Sequence, residues 1–236
     1  MTEPAAHPDP LAWLRAVFAD RGSLRSWTVI ANDGIIATAG ILEGFAGAGA
    51  SDRTLITGAT AATIAGMLAV GGAEWAEAAS EREAQLTAAK EEAAEISRQP
   101  DVEQAELVAY YEEKGLTPQL AHEVADQLMA SDPLDAQLES EHGILEVISR
   151  AETIRAAIGS AIAYLLGAAI PLIVTVAVPV AVESSVILAA VVVSLIVTSA
   201  IGARTGHTTL LGTLIRTLTV GLGTLAVSYL VGRLIF

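Results

Sequence analysis

Asp33 and Glu43 lie inside the stretch SWTVIANDGIIATAGILEGFAGAGA, Ser26 to Ala50, which is otherwise long and apolar enough to cross a bilayer. A charge at mid-bilayer costs at least about 2.5–3.5 kcal/mol on insertion scales. Two of them in one helix point to a task, and the task a carboxylate performs there is to hold a cation or a proton. Asp33, Gly40, Gly44 and Gly47 fall at i, i+7, i+11 and i+14, one face of a helix. Gly40 and Gly44 form a GxxxG pair, which lets another helix approach closely. Asp33 is therefore expected on a helix–helix seam, and the pair lends weak support to dimerisation. Glu43 sits about 15 Å further along the axis and is turned by roughly 80°. Carboxylates at two depths read as stations on a cation path. The competing reading pairs Asp33 with a base such as Arg216 and lets Glu43 reach the far surface.

Further carboxylates follow outside the apolar stretches. Glu74, Glu77 and Glu81 are spaced i, i+3, i+7, a stripe at the mouth of the second apolar run, and Glu74 is nearest to it. Glu92 and Glu95, then Glu103 and Glu106, form two i, i+3 pairs on either side of a Pro-containing turn. Oxygen-only ligands suit hard or borderline divalent ions. The plain alternative is that these are solvated helix faces. His122 and His142 are taken as surface residues, Met67 and Met129 as packing. No nucleophile motif, P-loop, HExxH or GxSxG is present, so an enzyme is not expected. The absence of cysteine excludes disulfides and thiolate ligands.

These residues need elements to position them. Over half of the 236 residues are hydrophobic, 53%, and the mean hydropathy is +0.53. Few soluble domains have that composition. The apolar spans run approximately Trp27–Ala50, Leu55–Ala73, Ala156–Ala181, Ser185–Ala203 and Leu210–Leu230, each near the roughly 20 residues a bilayer needs. The N-terminus lacks the pattern of a cleaved signal peptide. The net charge of −14 resides in one segment: Glu74 to Arg155 holds 20 Asp/Glu and 6 Lys/Arg. A surface of that sign repels phosphate and argues against nucleic acid as a partner. From Glu74 to Gln99 there is no Gly or Pro, so the second span is expected to continue as one long helix. Asp101 is expected to cap Val102–Lys114. Thr117 and Pro118 open the next helix, to about Ala130, and "SDP" opens a short one from Pro133 to about Gly143. Arg15, Arg21, Arg25, Arg150, Arg155 and Arg204 fall on one side of a five-span arrangement, Arg53 and Arg233 on the other, which places the N-terminus and the acidic segment in the cytosol.

The expected architecture is an all-α membrane protein, with five transmembrane helices and an acidic cytosolic helical domain inserted between helices 2 and 3. Its parts are a cytosolic N-terminal segment (1–26), transmembrane helices 1 and 2 (27–73), the acidic domain (74–155) and transmembrane helices 3 to 5 (156–236).

The stretches SLRSWTVIANDGIIATAGILEGF and AGMLAVGGAEW, the acidic helical insert, and the closing Gly232–Leu234 together resemble the vacuolar iron transporter family over roughly Gly22 to Phe236. The resemblance implies a multi-pass homodimer in a membrane, the cell membrane if the source is prokaryotic. It implies export of cytosolic Fe²⁺ in exchange for protons, with Mn²⁺, Zn²⁺ and Co²⁺ as further candidate cargo and no tightly bound cofactor. Asp33 matches the family's first-span aspartate on the metal path, on which Glu43 and Glu74 are also placed here. Glu92, Glu95, Glu103, Glu106 and Glu141 match the metal-binding glutamates of the insert. The chain departs from the pattern in four places. Ala69-Val70 stands where the family has Ser-Met, Ala62 stands where some members have a second-span glutamate, the stretch DAQLESEHG lacks the family's methionines, and Glu43 replaces a small apolar residue. Loss of sulfur and gain of oxygen shift preference toward harder ions such as Mn²⁺. The alternative function is a membrane-anchored divalent-metal buffer or sensor that does not transport.

Overall fold

The computed structural model describes residues 21–178 and 183–235, and every regular element among them is a helix. Residues 1–20 of the expected N-terminal segment lie outside this range, as does the end of the expected third span beyond residue 178. The helices are α1 (Arg21–Gly47), α2 (Asp52–Arg98), α3 (Pro100–Glu113), α4 (Pro118–Ser131), α5 (Pro133–His142), α6 (Arg150–Ala177), α7 (Glu183–Thr205) and α8 (Leu210–Ile235). Five of them, α1, α2, α6, α7 and α8, are long and apolar enough to cross a membrane. The chain divides into two compact units, one comprising 1–73 with 157–236 and the other 74–156.

The first unit is held together by small residues that bring backbones close. A Cβ on Gly34 would strike the carbonyl of Tyr164, and one on Gly167 would strike that of Ala31, so α1 and α6 cross with nothing between them. Gly40 and Gly44 lie against Ser228, and Gly47 against the Tyr229 backbone, so the glycine face of α1 receives α8 of the same chain. The GxxxG pair is thus used within the protomer, and dimerisation loses the support the sequence reading took from it. Ile35, Ala39, Leu42, Ala59, Val191 and Leu195 form the buried core. Thr38 and Thr63 share a buried hydrogen bond of 3.1 Å between α1 and α2. Outward, Leu68, Ile173, Val176, Val193 and Val227 are each more than half exposed. Apolar exposure on this scale fits a lipid environment and is foreign to a water-facing surface.

The second unit is built around Leu107, Val108, Ala121, Ala125 and Ala136, with Met129 packed against them as expected from sequence. Three alanines in that core let α3, α4 and α5 approach closely. Thr117 caps α4, its hydroxyl accepting from the Leu120 N–H, and Pro118 occupies the first turn. Asp132 caps α5 in the same way through the Asp135 N–H. At α3 the expected cap is displaced: Gln99 holds the N-cap position without a side-chain bond and Pro100 starts the helix, so Asp101 lies in its first turn. α6 begins at Arg150, six residues before the apolar run expected from sequence, because Ser149 and Glu152 cap each other's backbone N–H. That reciprocal bonding holds the Glu152 carboxyl below its usual range.

Candidate metal centre and transport path

In the second unit, α2 presents Glu92 and Glu95, α3 presents Glu103 and Glu106, and the C-terminal turn of α5 presents Glu141. The i, i+3 spacing puts each pair on one face, and the turn at Gln99–Pro100 folds the two faces toward each other. The outcome is three overlapping groups: Glu92, Glu95 and Glu103; Glu103, Glu106 and Glu141; Glu92, Glu141 and His142. Within each group, one ligand atom per residue lies within 4.8 Å of the others. All five glutamates chosen from the sequence are therefore in one cluster.

The cluster has a buried centre and an exposed rim of Glu95, Glu106, Glu141 and His142. Glu92 is 1% exposed and Glu103 is 4% exposed. Burial, a hydrogen bond with Glu92, and the charges of Glu92, Glu106 and Glu95 push the Glu103 carboxyl up to about 7. Burial also raises Glu92, reinforced by the charges of Glu141 and Glu95 and partly offset by Glu103 hydrogen bonding and by His142. Glu141 is raised by burial first and then by Glu106 and Glu103. Close carboxylates cannot all ionise without a counter-charge, so protons are retained near neutral pH. A divalent cation can replace those protons, and its binding is then coupled to their release.

Two residues passed over in the sequence reading help to build this site. Gln137 is completely buried; its Nε2 donates to the Glu103 carbonyl at 2.6 Å and to Glu103 Oε2 at 3.2 Å. Ser140 Oγ donates to Gln137 Oε1 at 3.1 Å, which fixes the amide orientation. His142 is exposed, as expected from sequence, and yet brings Nε2 to 3.6 Å from Glu92 Oε2. The only available sequence signal for Gln137 was its place one turn before Glu141.

The remaining acidic candidates fall in three cavities. Glu74, with Glu77 and Glu81, lines a recess of about 480 Å³ that also includes Ile148 and Ala156. Asp33 lines a cavity of about 300 Å³ enclosed by α1, α7 and α8, together with Arg25, Asn32, Thr198 and Arg216. Each residue of the Asn32-Asp33-Gly34 motif has its own work there. Asn32 accepts a hydrogen bond from Thr198 at 2.5 Å, Asp33 borders the cavity, and Gly34 admits the α6 backbone. Arg216 shares the cavity, but among the described residues no ion pair within 4 Å joins it to Asp33. Glu43 is buried and lines a cavity of about 350 Å³ between the same three helices, with Ser184, Ser185 and Tyr229. Asp33 and Glu43 are thus on one seam, α1–α7–α8, at two depths. His122 stays apart from the cluster, its Nδ1 within 3.0 Å of the Pro118 carbonyl.

Comparison with known proteins gives a consistent set of relatives. The profile of the VIT family matches residues 24–233. A vacuolar iron transporter of Acanthamoeba castellanii is 29% identical over 222 residues, covering 90% of this chain and 82% of the relative. Vacuolar iron transporter 1 of Arabidopsis thaliana is 28% identical over 180 residues, 75% of this chain and 71% of the relative. Vacuolar iron transporter 1 of Eucalyptus grandis is 31% identical over 144 residues, 60% of this chain and 57% of the relative.

Proposed function

The chain belongs to the VIT family, and from that premise we propose that it moves divalent iron out of the cytosol in exchange for protons. Mn²⁺ is a second cargo, favoured by the oxygen-rich character of Asp33, Glu43 and the glutamate cluster. The observation that carries the reading is the convergence of Glu92, Glu95, Glu103, Glu106 and Glu141 into one cluster with Glu92 and Glu103 buried at its centre, in a chain whose relatives are named as iron transporters. In this reading the 74–156 unit faces the cytosol and gathers cations, its negative field raising their local concentration. The arginines Arg25, Arg150, Arg155 and Arg204 support that orientation. Glu74 stands on the route from the acidic unit to the spans. Asp33 strips part of the ion's hydration shell, and Glu43 serves the far half of the route. When metal-free, each carboxylate can carry a proton, which gives exchange a physical vehicle. Assembly as a homodimer, with cations entering between two copies of α1 and α2, rests on the resemblance.

A second reading is favoured by the completeness of the cluster within one unit, and by Val70 standing where a sulfur ligand is expected. It makes the protein a membrane-anchored buffer or sensor that binds metal without moving it. Flux separates the two. Purified protein in liposomes loaded with a metal-quenched dye should admit Fe²⁺, and Asp33→Ala should abolish that entry while leaving the fold intact. Undiminished entry through Asp33→Ala rejects the route; binding without entry in the unaltered protein rejects transport.

A further inference from the structure

We propose that His142 is a ligand of the metal cluster, so that one position of the site is formed by Glu92, Glu141 and the His142 imidazole in place of oxygen alone. The proposal rests on the metal-binding reading of the glutamate cluster and specifies which ions it prefers. The geometry is local and built. Gly143 takes a left-handed conformation, φ 66°, and its N–H returns to the Glu139 carbonyl, so the chain leaves α5 immediately after His142. That cap holds His142 at the end of the helix, next to Glu141 in the chain and within reach of the α2 carboxylate Glu92. Nε2 stands 3.6 Å from Glu92 Oε2, longer than a hydrogen bond, and one ligand atom from each of Glu92, Glu141 and His142 lies within 4.8 Å of the other two. Donor atoms bound tetrahedrally to one first-row ion at about 2.0–2.2 Å stand about 3.3–3.6 Å apart, which the His142–Glu92 separation matches.

A second observation points independently to a ligand. Glu92 is 1% exposed, and its Oε1 makes no hydrogen bond among the described residues. A buried carboxylate oxygen without a partner carries a desolvation penalty that a structure does not ordinarily retain. A cation held by both Glu92 oxygens, with Glu141 and His142, supplies the missing partner of Oε1. The two sides of the cluster then differ in kind. The groups Glu92–Glu95–Glu103 and Glu103–Glu106–Glu141 offer oxygen only, whereas the side next to His142 offers nitrogen. Imidazole favours Fe²⁺, Co²⁺, Ni²⁺ and Zn²⁺ over Mn²⁺ and Mg²⁺. His142 therefore restores a preference for borderline ions that an all-glutamate site lacks.

The test uses the full chain purified in detergent, titrated calorimetrically with Co²⁺ and with Mn²⁺. His142→Gln should weaken Co²⁺ by at least the roughly 10-fold that losing a partner of a ligand costs. Mn²⁺ should change about threefold or less, so the ratio of the two affinities falls. His122→Gln, remote from the cluster, should alter neither. Should His142→Gln fail to fold, X-ray absorption at the Zn edge on the unaltered protein with one equivalent of Zn²⁺ decides instead: imidazole outer-shell scattering is expected. Ions that bind with an unchanged Co²⁺/Mn²⁺ ratio in His142→Gln, or a Zn spectrum without imidazole, overturn the assignment of His142 alone. No binding of either ion to the unaltered protein overturns the cluster reading, and this inference with it.

Discussion

Glu103 carries the strongest consequence of the cluster's geometry. Its carboxyl titrates at about 7 in the folded protein, against a reference value of 4.5. As pH rises, the unfolded chain releases this proton first and the folded chain retains it. The stability associated with the protonated form is therefore complete below about 4.5 and is lost progressively up to about 7. Between pH 5.5 and pH 8 the loss comes to about 2 kcal/mol, or roughly 30-fold in an opening equilibrium. The group is 4% exposed, so solvent screens it little. Glu103→Gln removes the titration yet keeps an oxygen for the Gln137 amide. Hydrogen exchange on the chelator-treated full chain reads this directly through the amides of α3, after correction for intrinsic exchange rates. Protection in the unaltered protein should fall by about 30-fold from pH 5.5 to pH 8, and in Glu103→Gln by clearly less, the remainder coming from Glu92 and Glu141. A flat profile in the unaltered protein, or an equal slope in the variant, refutes the claim that crowding and burial hold a proton in the cluster.

Other perturbations test the surrounding structure. Gln137→Ala leaves the Glu103 carbonyl and carboxylate without their donor; it should destabilise the metal-free acidic unit by about 1–3 kcal/mol, seen as reduced α3 protection, and weaken metal binding in calorimetry. Gly34→Val drives a side chain into the Tyr164 carbonyl, so it should lose folded, monodisperse protein on size exclusion, overpacking costing about 1–3 kcal/mol or more. Gly72→Ala, where a Cβ meets nothing within 4 Å, should behave as the parent.

The features that rest on periodicity could be read before any coordinates. Apolar length marks the five spans, the Gly- and Pro-free run marks the long α2, and Thr117-Pro118 and Asp132-Pro133 mark the starts of α4 and α5. The glutamate pairs were visible as pairs, but their i, i+3 spacing is shared with ordinary solvated faces. Only the family resemblance singled them out and added Glu141. What eluded the sequence depends on tertiary proximity. A lone histidine has no period, so nothing local places His142 against Glu92 across some 50 residues of chain. Gln137 likewise gains its meaning only when α5 packs on α3. The glycine face of α1 was legible as a contact surface, but a GxxxG pattern does not say which helix fills it, and α8 of the same chain does. The start of α6 was lost for a different reason. Its first residues are polar, so a hydropathy criterion skips them, although Ser149 and Glu152 already carried the capping signature.

Coupled movement of iron and protons through this chain is the central proposal. Fe²⁺ entry and lumenal pH are to be followed in the same proteoliposomes, with a metal-quenched dye and a pH dye, under an imposed gradient acid inside. Fe²⁺ entry should accelerate with the gradient and raise lumenal pH as it proceeds. Iron entry no faster than in empty vesicles, or entry that leaves the proton signal unmoved, contradicts it.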